Sequence, residues 1–136
     1  MLSLPAVRTD GFSLLLSTSG NVPVLKLSGN GDAAAVSPLD RSLSLLHHNL
    51  MVANAKSVIV DLCDLYFLNS SCLKAFVSWI YTVRTAQAPY GICLRLNARQ
   101  RWQRRGLEPL QRLAPAIVSL EEVTLDAQQA GSVGED

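Results

Sequence analysis

A chain of 136 residues that is 49% hydrophobic and 17% charged is large enough for one domain around one core and too apolar for a disordered polar chain. Its net charge of +1 at pH 7 singles out no nucleic acid, membrane surface or acidic substrate as a partner. The distribution is uneven, however. Seven of the twelve Lys and Arg residues lie between Arg84 and Arg112, where Glu108 is the only acid, while the last eleven residues carry three acids and no base.

Three cysteines, Cys63, Cys72 and Cys93, show no CxxC spacing and no regular framework. An odd number without a secretory signal is expected of reduced thiols in the cytosol. Met1 to Pro5 lacks both the basic start and the apolar run of a signal peptide. No apolar stretch approaches the roughly 20 residues that span a bilayer. The expectation is a soluble, cytoplasmic protein.

Residues 1–10 hold no convincing element and read as a loose leader. Phe12 to Ser17 is a short apolar run, a first strand. Ser19-Gly20-Asn21 is turn chemistry and Val22 to Leu27 a second strand, so the two form a hairpin. Pro23 places the start of that second strand on an edge or at a bulge. Gly29-Asn30-Gly31-Asp32 is a loop. Ser37-Pro38 then marks a helix, with serine as cap and proline in first position. Leu39, Leu43, Leu46 and Leu50 give it one apolar face, and it ends near Asn54.

Ser57 to Trp79 organises the chain. Ser57 to Cys63 is short, apolar and β-branched, as in a strand covered on both faces. Leu73, Phe76, Val77 and Ile80 recur at helical spacing, in a helix from about Ser71 to Gln87 stopped by Ala88-Pro89. Between strand and helix, Asn69-Ser70-Ser71 offers three capping residues. Gly91 to Leu96 is a further strand. Residues 98–105 form a short basic helix carrying Trp102, and Leu107, Leu110 and Leu113 suggest another turn or two before Pro115. Ile117 to Leu120 is a last extended segment, and residues beyond 125 are polar and expected to be disordered. Strands alternating with helices after a hairpin imply an α/β fold, a mixed sheet with packed helices.

The run Val60-Asp61-Leu62, Leu65, Phe67-Leu68-Asn69-Ser70-Ser71-Cys72-Leu73 resembles the signature of the STAS domain, the fold of bacterial anti-sigma factor antagonists, commonly V-D-L-x-x-[VL]-x-[FY]-[ILM]-[DN]-S-[SAT]-G-L. Val24 to Asp32 resembles the second strand and turn of that family. Arg105-Gly106-Leu107 with Ser119-Leu120-Glu121-Glu122 resembles its closing part. The match spans roughly residues 11 to 123, so the domain is placed at 11–125 with about four or five strands. Trp102-Gln103, Leu107 and Leu110-Gln111-Arg112-Leu113 further resemble single-domain STAS-like regulators encoded beside a SiaB-like kinase.

The resemblance implies a non-enzymatic regulator of a partner-switching pathway without a cofactor. Its protein partners would be a GHKL-type switch kinase or anti-sigma factor and a PP2C-type phosphatase. Ser71 takes the position of the phosphorylated serine, with Ser70 the lesser candidate, and Asp32, Asn69, Ser70, Ser71, Cys72 and Lys74 would form the partner-binding surface. Phosphorylation adds about −1.5 to −2 charges at pH 7, which a helix N-terminus tolerates, so the switch is expected to act on docking rather than on the fold. The competing expectation is a constitutive scaffold or small-ligand or nucleotide-binding module in which Ser71 only caps the helix.

Cys72 stands where the family has Gly, which puts phosphorylation in doubt but not the fold. A thiol near a helix start is also a minor candidate for a redox sensor. Asp32, Asp61 and Asp64 match no metal-ligand spacing, and His47-His48 lacks further ligands, so no metal site is expected. Arg99, Arg101, Arg104 and Arg105 around Trp102 form a basic patch. With near-neutral overall charge, an acidic protein partner or plain solvation suits it better than nucleic acid.

Overall fold

The computed structural model describes residues 2–125; the polar segment 126–136, expected to be disordered, lies outside them. Six strands form one mixed sheet, in the spatial order β1 (Val7–Thr9), β2 (Phe12–Ser19), β3 (Val22–Gly31), β4 (Ser57–Leu68), β5 (Gly91–Asn97) and β6 (Val118–Val123). Pairing is antiparallel from β1 to β3 and parallel from β3 to β6. Each parallel crossover carries one helix: α1 (Val36–Val52), α2 (Ser70–Arg84) and α3 (Arg101–Leu113). Because spatial order equals chain order, right-handed crossovers all step one way and lay their helices on one face of the sheet.

Burial follows from that placement. Val58, Val60 and Leu62 of β4 face the helices and are buried, as are Ile92, Leu94 and Leu96 of β5. Leu39, Leu43, Leu46 and Leu50 of α1 and Phe76, Ile80 and Val83 of α2 meet them in one core. Ile59 and Asp61 on the other face are only half-buried. The both-face burial expected of β4 is therefore corrected to one face. Across the uncovered face the register aligns Lys26 with Asp61, Asp61 with Arg95, and Arg95 with Glu121. This row of alternating charge is closed by ion pairs of 2.9 Å between Arg95 Nε and Glu121 Oε1 and between Lys26 Nζ and Asp64 Oδ2.

Other expectations shift in detail. Six strands are present among the described residues, not four or five. The supposed leader contributes β1, and Asn49 Nδ2 donates to the Ser3 carbonyl at 2.7 Å. The hairpin is present, turning at Gly20 with φ 63°. Pro23 pairs with Thr18 of β2 one residue before the β4 ladder begins at Val24, so its missing N–H costs no ladder bond there. α1 begins at Val36, behind a 3₁₀ turn over Ala33–Ala35 that Asp32 caps by accepting from Ala34 N at 3.2 Å. Ser37 is thus not the cap, and Pro38 falls in the first turn, where N–H groups lack intrahelical acceptors anyway. α2 ends at Arg84, earlier than Gln87.

α3 is one continuous helix through Gly106 and Pro109, not a short basic helix and a separate turn. Gln103, Leu107 and Leu110 share its buried side, and packing overrides the poor helix propensity of Gly and Pro. Gln103, fully buried, has a further role. β4 and β5 pair only as far as Asp61 and Arg95, and beyond that point the carbonyls of β4 need other partners. Gln103 Nε2 donates to the carbonyls of Leu62 at 2.6 Å and Leu65 at 2.9 Å, and its Oε1 accepts from Asn97 N at 2.8 Å. Asn97 Nδ2 donates to the Cys63 carbonyl at 3.3 Å. Two amide side chains thereby continue the sheet's hydrogen bonding where β5 no longer pairs with β4, whose end stays paired with β3 as far as Leu68.

Candidate functional site

The turn from β4 into α2 is held from both sides. Asn69 is extended (φ −78°, ψ 170°) and is the N-cap: its Oδ1 accepts from Cys72 N at 2.8 Å and its carbonyl from Leu73 N at 3.0 Å. Its own N–H donates to the Gly31 carbonyl at 2.8 Å, tying the turn to the end of β3. Gly29, Asn30 and Gly31, expected as a loop, instead continue β3 alongside Leu65, Phe67 and Leu68 of β4, and this end is anchored by Asn30 N, which donates to the Gly11 carbonyl at 2.7 Å. Gly29 has φ 90°, and a β-carbon there would run into the Gly11 carbonyl, so only glycine allows this approach. Asp32 stays exposed beside the turn.

Ser70 and Ser71 are the first two helical residues and both are exposed. Ser71 therefore does not cap the helix. Among the described residues its hydroxyl makes no hydrogen bond, and the Ser70 and Ser71 N–H groups are first-turn donors without intrahelical acceptors. Ser71 opens onto a cleft between α1 and α2 that Ser37, Asp40, Lys74 and Ser78 also line. A phosphate on Ser71 would meet the positive helix end and the Lys74 ammonium, with the Asp40 carboxylate opposing it.

Cys72 turns inward and is fully buried, its Sγ donating to the Asp32 carbonyl at 3.7 Å. The glycine position of the signature is thus filled on the core side, leaving the outer surface of the turn unobstructed. Cys72 is corrected as a direct partner contact. Burial, then the Asp32 charge, pushes its thiol upward from the ordinary range, the reverse of what a redox-sensing thiolate needs. Burial and Asp61 raise the Cys63 thiol further, to about 12.

Tyr66 and Phe67, 58% and 49% exposed near the end of β4, precede the turn and are not among the expected site residues. An aromatic pair closing a strand just before a polar turn was their sequence signal. Of the basic patch, Arg99, Arg101 and Arg105 are exposed. Arg104 is engaged with Glu122 Oε1 at 3.1 Å and Glu108 Oε2 at 3.9 Å. The patch thus divides, Arg101, Arg104 and Arg105 lying on α3 and Arg99 just before it.

The α1–α2 cleft continues to His47, Trp79 and Thr82. Trp79 Nε1 donates to Tyr90 Oη at 2.9 Å, and Tyr90 Oη lies 2.7 Å from His47 Nδ1. The indole can only donate, so Tyr90 Oη accepts from it; the direction of the Tyr90–His47 bond follows the imidazole tautomer, Tyr90 donating when the ring proton is on Nε2. Burial, then His48, lowers the His47 pKa, consistent with a neutral ring. His48 is exposed. Among the described residues no group of three or more His, Cys, Asp or Glu is placed to hold a metal ion, and no helix is long and apolar enough to cross a membrane.

No family model matches the chain and no curated protein matches it. Solved structures do. An anti-sigma factor antagonist from Mycobacterium paratuberculosis aligns at 18% identity with a TM-score of 0.58, over 95% of this chain and 98% of that one. The anti-sigma factor antagonist SpoIIAA in its unphosphorylated form aligns at 13% identity with a TM-score of 0.50, over 90% of this chain and 99% of that one. The chain has the STAS fold of the anti-sigma factor antagonists along nearly its whole length.

Proposed function

We propose that this protein is a non-enzymatic partner-switching regulator whose docking onto a protein partner is controlled by phosphorylation of Ser71. The carrying observation is that Asn69 caps α2 while Ser71 stands exposed with its hydroxyl uncommitted, on a turn clamped to the end of β3. A rigid turn presenting a free hydroxyl at a helix N-terminus suits entry into a kinase active site, and the first-turn N–H groups would stabilise the product. The likeness to anti-sigma factor antagonists in fold supports the same reading.

The docking surface comprises Asn69, Ser70, Ser71 and Lys74 with Asp32 beside them. Tyr66 and Phe67 supply apolar anchors, aromatic side chains being favoured at interface centres. The kinase would be of the GHKL switch type, serving also as the sequestered partner or anti-sigma factor, and a PP2C-type phosphatase would reset the serine. Phosphorylation adds two negative charges at most and leaves the helix intact, but at the centre of an interface it disrupts docking through desolvation and repulsion. The protein acts in the cytoplasm in this scheme.

Intact-mass measurement of the protein recovered from its native cells tests the switch. One added phosphate that disappears in Ser71→Ala is the expected result. Retention of a binding partner by Ser71→Ala and its loss by Ser71→Asp should follow. Absence of phosphate under every growth condition, with equal partner binding by both variants, would overturn the proposal.

A further inference from the structure

A second surface, on α3, has features the fold itself does not require. Its outward side carries Arg101 and Arg105, one helical turn apart, so their side chains lie about 5–6 Å from each other at Cβ. Every described acid near α3 is already engaged elsewhere: Glu108 with Arg104 and Arg112, Glu122 with Arg104, and Glu121 with Arg95. Among the described residues Arg101 and Arg105 make no ion pair, and Arg99 just before the helix makes none either.

Between these arginines lies an open recess of about 750 Å³ lined by Arg101, Trp102, Arg105 and Gly106. Gly106 creates it. A β-carbon at that position would touch Trp102 Cε3 at an ordinary 3.5 Å, so no steric demand excludes a side chain, and its φ is not in the region reserved for glycine. Glycine is among the poorest residues for a helix interior, yet here it keeps one edge of the indole uncovered. Trp102 Nε1, on the opposite side of the ring, is buried inside the protein and finds no acceptor among the described residues, so only the uncovered carbocyclic edge faces the recess.

We propose that the Arg101–Trp102–Arg105–Gly106 face of α3 is a docking site for an acidic segment of a protein partner, an apolar side chain seating over Gly106 against Trp102 while flanking carboxylates pair with the two arginines. Arginine and tryptophan are the residues that most often anchor protein interfaces, and guanidinium groups pair carboxylates bidentately. The basic field is short, one helical turn bordered by Glu108, Glu121 and Glu122, which fits a peptide with two acids rather than a polyanion tracking many phosphates. The site uses none of the residues around Ser71 and does not depend on that serine being modified.

Fluorescence anisotropy of a labelled peptide, Glu-Glu-Leu-Phe-Glu-Glu-Leu, against the full chain at low salt tests this. The acidic peptide should bind at least tenfold more tightly than its Gln-for-Glu counterpart. Binding should fall at least tenfold in Arg101→Glu/Arg105→Glu and also in Gly106→Met, which fills the recess without altering charge. Arg112→Glu, on the same helix but outside the recess, should leave it unchanged, and circular dichroism should show all three variants folded. Equal binding of the two peptides, or no binding, overturns the proposal. So does tighter binding of a dT12 oligonucleotide, which would make the face a nucleic-acid surface. Binding that appears only after removal of residues 126–136 would mean that the chain's own acidic end is the occupant.

Discussion

Asn69, Ser70 and Ser71 are near-equivalent cap formers by residue type, and one hydrogen bond separates their roles. Asn69 Oδ1 accepts from Cys72 N, so Asn69→Ala should lower unfolding stability by about 1 kcal/mol. Ser71→Ala removes an exposed hydroxyl with no hydrogen-bond partner among the described residues and should stay within about 0.5 kcal/mol of the parent. Urea unfolding of the two variants measures the difference. A larger loss for Ser71→Ala would return the capping role to Ser71. Ser71 is then conspicuous for what its hydroxyl does not do in the folded chain.

Elements meet where β4 leaves β5, and there Gln103 of α3 substitutes for a strand. Its amide serves two carbonyls and one backbone N–H in a fully buried position. Gln103→Leu preserves approximate volume and helix propensity but leaves those three groups unpaired. Each buried orphan costs roughly 1–3 kcal/mol, so a loss of about 3 kcal/mol or more is expected, read as a shift in the urea midpoint. A loss below about 1 kcal/mol would mean that water reaches these carbonyls. The same junction ends at the Leu65 carbonyl, immediately before the exposed Tyr66 and Phe67, so a hydrogen-bonding device inside the fold also supports the proposed docking surface.

At the scale of the whole molecule, the chain Trp79–Tyr90–His47 joins α2, the segment before β5 and α1, across residues far apart in sequence. Burial of its His47 end, then the neighbouring His48, makes stability respond to pH. The folded His47 pKa is lowered, so the unfolded chain takes up this proton first as pH drops. The contribution is complete above the unfolded value of about 6.5 and declines as pH falls through it toward the folded value. Urea midpoints at pH 7.5 and pH 5 should therefore differ more for the parent than for His47→Gln. Equal differences would mean that the burial of His47 does not couple its protonation to folding.

Much of this architecture is legible in the residues alone. Leu39, Leu43, Leu46 and Leu50 define the buried side of α1, the β-branched run from Ser57 defines the central strand, and the signature ending at Leu73 implies the STAS fold now seen. Local periodicity suffices for these because each reflects a single face turned to one core. The misplaced features share a different cause. β1 is a three-residue strand with no periodicity, recruited only because β2 offers an edge. α3 continues through Gly106 and Pro109 because its leucines pack on the sheet. Burial of β4 on one face, rather than two, follows from all three crossovers stepping the same way. Which of three capping residues caps, where Cys72 points, and which arginines remain unpaired depend on atoms brought together from distant parts of the chain. Sequence determined the longer elements and the apolar faces of α1 and α2; the tertiary structure decided the edge strand, the covered face of β4 and which polar groups found partners, because pairing, hydrogen bonds and ion pairs require distances that no linear spacing encodes.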